Sequence, residues 1–121
     1  MKYFRKDWIL FQEIANEGGK LPEGLVEVKP KEENPDENKH VPFIEETKDG
    51  YIVRVGKNEQ HPNDEKHHVM FIDLYVDDIQ MRKTFKIKEE LTFEFKTNKG
   101  KKVQAVAFCN LHGLFLGKLN S

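Results

Sequence analysis

From residue 41 onward the chain is cut into short stretches of alternating apolar and polar residues with turn chemistry between them. This period limits the fold more than any other feature. "LTFEFKT" sets Leu91, Phe93 and Phe95 on one side with charges opposite, and "TFKIK" does the same with Phe85 and Ile87. A period of two places successive side chains on opposite faces of a pleated strand. "VPFIEE" leads through a "KDG" turn at 48–50 into "YIVRVG", where Tyr51, Val53 and Val55 alternate with Ile52 and Arg54. "HVMFIDLYVDD" (68–78) reads as a longer strand with apolar residues on both faces, as expected where both are covered. "NKGK" (98–101) reads as a hairpin turn, "VQAVAFC" (103–109) as a strand ending on Cys109, and "LFLGKL" as a last short strand. Short strands between turn signals, without repeat, heptad or glycine-rich phosphate loop, predict an all-β chain folded as an antiparallel β-sandwich.

The first forty residues read differently. "NEGGKLPEG" (16–24) is turn chemistry, and "KPKEENPDENK" (29–39) is an exposed, charged linker with two prolines. "LVEV" (25–28) between them reads as a short strand. No core-sized pattern occurs here, so residues 1–30 are expected to form a small N-terminal piece and residues 31–121 the main domain. A chain of 121 residues fills one modest core and a small appendage. Its 20 basic and 21 acidic side chains nearly cancel, which argues against a nucleic-acid or anionic-membrane surface. The apolar run in "MKYFRKDWILFQEI" is too short for a signal peptide and no stretch is long enough to span a membrane, so a cytoplasmic address is expected.

The chemistry concentrates in a few polar residues. "AFCNLHGLF" (107–115) holds the only cysteine, Cys109, with His112 three positions on. One cysteine makes no internal disulfide and fits a reducing compartment. The five histidines, His40, His61, His67, His68 and His112, all fall at strand ends or in loops. Taken singly, a loop histidine is most often a solvated surface residue, and a lone cysteine at a strand end a small buried hydrophobe. Loops at one end of a sandwich converge, however, so these side chains can meet despite their separation. A mostly histidine site with one thiolate suits zinc, copper or iron.

The segments "KHVPFIE", "HPNDEKHH" and "CNLHGLF", in that order, closely resemble superoxide reductases of the neelaredoxin and desulfoferrodoxin family. The resemblance covers residues 39 to 116. It implies an immunoglobulin-like β-sandwich carrying one mononuclear non-haem iron (Fe2+/Fe3+). It also implies reduction of superoxide to hydrogen peroxide, a rubredoxin-like electron donor and a homo-oligomer, dimer or tetramer. Position by position, it makes His40, His61, His67 and His112 the equatorial ligands and Cys109 the axial one. Lys39 then supplies positive charge near the open position, drawing in the anionic substrate and helping to protonate the product. The family motif takes the first histidine of the pair, so the resemblance leaves His68 out, a choice that agrees with adjacent strand residues pointing to opposite faces. A non-catalytic iron electron-transfer or metal-binding sandwich is the alternative that the same ligand set allows.

The chain departs from the family pattern in three places. Where many members have glutamate before the lysine, a residue able to take the sixth position on oxidised iron, this chain has Asn38, with Glu37 one step earlier. The position is therefore expected to be open or water-bound more often. In the N-terminal stretch Arg5 and Trp8 stand where one C-x-x-C pair of a desulforedoxin domain belongs, and Pro22 and Glu23 where a second does. A second iron centre is thereby excluded by counting, and a metal-free remnant used for packing or dimerisation is expected. Phe115 replaces a tryptophan common after "HGL" and keeps an aromatic packing role.

Overall fold

Val53 and Val55 expose nothing, whereas Ile52 and Arg54 beside them reach the surface, so the alternation in "YIVRVG" is that of a strand with one covered face. A computed structural model of the chain describes residues 2–119. Among these there are ten strands and no helix. They are β1 (Tyr3–Lys6), β2 (Ile9–Gln12), β3 (Val26–Val28), β4 (Pro42–Glu46) and β5 (Gly50–Val55). There follow β6 (Val69–Val76), β7 (Ile79–Thr84), β8 (Thr92–Lys96), β9 (Val103–Cys109) and β10 (Gly113–Lys118).

A four-stranded sheet, β10-β9-β6-β7, faces a three-stranded one, β4-β5-β8, and every pairing in both is antiparallel. This is the expected immunoglobulin-like sandwich. Its core contains Ile44, Val53, Val55, Ile72, Leu74, Leu91, Phe95 and Ala105, all nearly without exposed surface. A third sheet, β2-β1-β3, covers the outer face of the four-stranded sheet. Tyr3 packs there with Tyr75, Val106 and Leu114, and Leu10, Val28, Phe71 and Phe108 border them. The central strand β6 is thus covered on both sides, as the apolar residues on both of its faces require.

Two local expectations are corrected. "TFKIK" is not a strand: β7 ends at Thr84, and the chain then turns through Lys88 at φ +71°. The Asn63 side-chain amide takes the Lys86 and Glu89 carbonyls, so those groups are unavailable to a ladder. "NKGK" does not close a hairpin, because β8 pairs with β5 while β9 pairs with β6 and β10. The turn instead carries the chain from one sheet to the other. It is held by the Asp77 carboxylate, which accepts from the backbone N–H groups of Lys101 and Lys102. Phe93 shares a face with Phe95 but is 39% exposed at the rim, where it meets the Phe95 ring edge-on. The segments of β1 and β2 carried no strand signal, yet Tyr3 and Phe4 are buried in a ladder.

Candidate metal centre

Antiparallel pairing brings five strand ends, those of β4, β5, β6, β9 and β10, to one end of the sandwich. Pro42 at the start of β4 faces Val55 at the end of β5, so the segments carrying His40 and His61 emerge together. They are tied there by the Gly56 N–H on the Val41 carbonyl at 3.2 Å and the His61 N–H on the Val55 carbonyl at 3.0 Å. Gly56 sits at φ +98°, and a Cβ there would stand 1.9 Å from the Glu59 carbonyl oxygen, so only glycine allows this return. Val69 at the start of β6 faces Cys109 at the end of β9, which places His67 beside the thiol. Gly113, at φ +87°, turns the chain back into β10 directly after His112.

Polar side chains that sequence reasoning passed over hold these segments still. Asp64 Oδ1 accepts from the N–H groups of Lys66 (3.0 Å) and His67 (2.9 Å), and these bonds hold its carboxyl below the usual range. Asn110 Oδ1 accepts from the His68 N–H at 2.8 Å while its amide donates to the Lys66 carbonyl at 2.9 Å, joining the β9–β10 turn to the histidine loop. Lys31 donates to the His112 carbonyl at 2.9 Å and lies 5.2 Å above the Phe115 ring. Asp64 closes a local turn, whereas the backbone partners of Asn110 and Lys31 lie more than forty residues away, so no motif marks those two.

The ligand-capable atoms of His40, His67, Cys109 and His112 lie within 4.8 Å of one another. His61 adjoins this group, its ring centroid 4.7 Å from that of His40 and 4.4 Å from that of His67. Cys109 Sγ and His112 Nδ1 are 3.7 Å apart. His68 stays outside, with Nδ1 on the Asp64 carbonyl. Cys109 and His61 are buried, whereas His112 is exposed, so the cluster opens to solvent on the His112 side.

The Nε2 atoms of His40, His61 and His67 are buried without any hydrogen-bond partner. A buried polar atom left unpaired costs about 1–3 kcal/mol, and three on neighbouring rings form an arrangement that a bound cation would relieve. Desolvation, with mutual repulsion among the rings, lowers His40 and His61 to about 4, and desolvation also lowers His67. For His61 the Pro62 carbonyl, accepting from Nδ1 at 2.6 Å, opposes the shift without reversing it. All three imidazoles are therefore neutral near pH 7, with lone pairs free for a metal. Half-buried Lys39 adds to the depression of all three, which puts its positive charge in the field of the cluster.

Phe115, buried, stacks on His40 with centroids 4.8 Å apart and planes 18° apart, an aromatic packing role as expected. Glu37 is exposed in a turn closed by its own N–H on the Asn34 carbonyl. Among the described residues the cluster contains no carboxylate.

Residues 32–118 match the family model described as desulfoferrodoxin. The superoxide reductase of Pyrococcus abyssi is 38% identical over 94 residues, 64% of this chain and 82% of the relative. The desulfoferrodoxin of Nitratidesulfovibrio vulgaris is 44% identical over 75 residues, 62% of this chain but only 58% of the relative. Among solved structures, the superoxide reductase of Nanoarchaeum equitans is 31% identical with a TM-score of 0.60, covering 76% of this chain and 98% of that one. The superoxide reductase from Treponema pallidum aligns over 97% of both chains with a TM-score of 0.76. At 24% identity it speaks for the fold, here including the N-terminal sheet.

Proposed function

The chain belongs to the desulfoferrodoxin family, and from that premise we propose that it is a superoxide reductase working at one mononuclear iron held by His40, His61, His67, His112 and Cys109. The observation that carries this is the gathering of ligand atoms of His40, His67, His112 and the buried Cys109 within 4.8 Å, with the His61 ring beside them and the Nε2 atoms of His40, His61 and His67 buried without a partner. When bound, ferrous iron supplies the single electron that, with superoxide and two protons, yields hydrogen peroxide and ferric iron, which an external donor re-reduces. Thiolate and imidazole donors together suit iron, zinc or copper, and family membership selects iron among them.

The protein's own residues do the rest. Burial keeps His40 and His61 neutral, so the site offers lone pairs rather than positive charge. Cys109, at the buried end of β9, sits where a thiolate is shielded from water. Lys39 provides a fixed cation beside the cluster, which concentrates a small anion there and favours the negative charge that develops on it. Exposed His112 marks the side from which substrate and protons arrive.

We further read the chain as a main domain of residues 31–121 with a metal-free N-terminal piece, residues 1–30. The reading as a dimer or tetramer is supported by Trp8 and Ile14, more than nine-tenths exposed on that piece, with Val26 nearby. A rubredoxin-like donor follows from the family alone. A cytoplasmic address fits the single free thiol.

Iron-loaded, reduced protein is mixed with superoxide under anaerobic conditions. One peroxide per iron oxidised, without evolution of oxygen, is expected. Oxygen formation, or iron that superoxide does not oxidise, overturns the proposal and leaves an electron-transfer or metal-binding role.

A further inference from the structure

Asn38 occupies the position at which the family commonly has a carboxylate, and its surroundings assign it a different task. Its side-chain oxygen lies 2.7 Å from the backbone N of His40 and 3.0 Å from His40 Nδ1. A backbone N–H only donates, so the amide atom facing it must be Oδ1. The other end of the amide, Nδ2, then donates to the Glu33 carboxylate, which only accepts. Both ends of the amide are engaged, and neither is free to fill a coordination position.

The consequence falls on the His40 ring. With an acceptor at Nδ1, the neutral imidazole carries its proton there and keeps its lone pair on Nε2. That Nε2 atom is buried and partnerless, among the rings of His61, His67 and His112. His61 reaches the same state by donating a hydrogen bond from Nδ1–H to the Pro62 carbonyl. His40 has only the amide for this purpose, and the stacked Phe115 ring fixes its plane.

We propose that Asn38 is a positioning residue for His40: Glu33 orients the amide, the amide fixes the Nδ1–H tautomer, and His40 Nε2 is thereby aimed at the metal. The inference rests on the reading of His40 as a ligand, and the test separates the two. Long-range 1H–15N correlation spectra of the metal-free protein report the tautomer of each histidine. Co2+ titration reports affinity independently of any turnover. Wild-type protein should show His40 as the Nδ1–H tautomer. Asn38→Ala should give a mixture at His40, leave His61 unchanged as an internal control of folding, and weaken Co2+ binding by about 10- to 100-fold. Asn38→Asp alone sets two carboxylates against each other. Adding Glu33→Gln reverses the donor and acceptor and should restore both tautomer and affinity.

If Asn38→Ala leaves the His40 tautomer unaltered, or if the double variant is no better than Asn38→Asp alone, the proposal is overturned. If Asn38→Ala shifts the His40 tautomer but wild-type protein does not bind Co2+, it is the metal centre that fails, and the orienting role of Asn38 stands.

Discussion

Asp73 on β6 and Cys109 on β9 are both almost without exposed surface on neighbouring strands, yet their surroundings are built on opposite terms. Around Asp73 no buried side-chain polar atom lacks a partner. Arg82, its register partner on β7, reaches Oδ1 with Nε at 2.5 Å and Oδ2 with a second nitrogen at 2.8 Å. The Tyr3 hydroxyl donates to Oδ2 at 2.7 Å, and Gln80 adds a bond at 3.1 Å. Gln12 on β2 donates to the Tyr75 hydroxyl and accepts from Arg82. This network fastens the N-terminal sheet to the sandwich. Around Cys109, by contrast, three ring nitrogens have no partner at all. A satisfied cluster completes a fold, and an unsatisfied one of ligand type is left for something the chain does not itself supply.

The contrast breaks most visibly at Asp73. Asp73→Ala takes the buried acceptor from the part-exposed Arg82 guanidinium and from the Tyr3 hydroxyl, which keep Gln12 and Tyr75, and losing such a charge-assisted acceptor costs about 1.5–3 kcal/mol. Urea unfolding of the metal-free protein should show a loss of that size. A loss below about 1 kcal/mol would mean that solvent replaces the carboxylate, and the network would not be what docks the N-terminal sheet.

At the other cluster the same kind of deletion should act in reverse. His67→Ala removes an Nε2 atom that bonds to nothing, so metal-free stability should change by less than about 1 kcal/mol. Its Co2+ affinity should fall by at least about 100-fold, the loss reported by titration. A destabilised metal-free protein with unchanged affinity would reverse the contrast.

The two clusters were also unequally legible in the sequence. His40, His61, His67, Cys109 and His112 stand out because each is a scarce residue at the edge of a strand pattern, in a recognisable order. The residues that support them stand out less. Asn38 stands out only as a departure from the family pattern, and Asp64 and Asn110 not at all. All three bond to backbone groups of loops, and nothing in a string of letters tells such a side chain from a solvated one. Asp73 reads as one acid in "HVMFIDLYVDD"; its burial becomes necessary only once β7 sets Arg82 opposite it and Tyr3 arrives from seventy residues away. The alternation in "YIVRVG" was readable because both faces of its pattern are local. β1 and β2 were not, since they gain their covered face only against the outside of β6 and β9.

Alkaline pH sharpens the contrast from the side of the network. Burial, the Tyr75 hydroxyl and the charge of Asp73 push the Tyr3 phenol well above its usual range, and burial also raises Tyr75. A phenol raised in the folded state contributes stability fully present below its unfolded pKa of about 10. That contribution is lost as pH climbs towards the folded value. Stability should therefore fall above about pH 10, by up to about 1.4 kcal/mol per pH unit for each raised phenol. Tyr3→Phe should flatten that slope, in urea titrations run from pH 9 to 11. An unchanged slope would place the titrating group elsewhere.

The smallest effect expected is the coupling between the clusters. Asp73 lies four residues along β6 from Val69, the register partner of Cys109, which at ~3.3 Å per residue is about 13 Å. Groups separated by more than ~10 Å without shared partners usually act additively to within about 0.5 kcal/mol. Co2+ at a hundredfold excess over its dissociation constant should stabilise the wild-type protein by about 2.7 kcal/mol. The gain in Tyr3→Phe should match it within about 0.5 kcal/mol, although that variant starts from a lower baseline. The agreement would mean that the network holds the N-terminal sheet without setting the geometry of the histidines. A gain reduced by more than about 1 kcal/mol would instead make the two clusters one structure, joined through β6 and β9, with the N-terminal sheet shaping the metal centre.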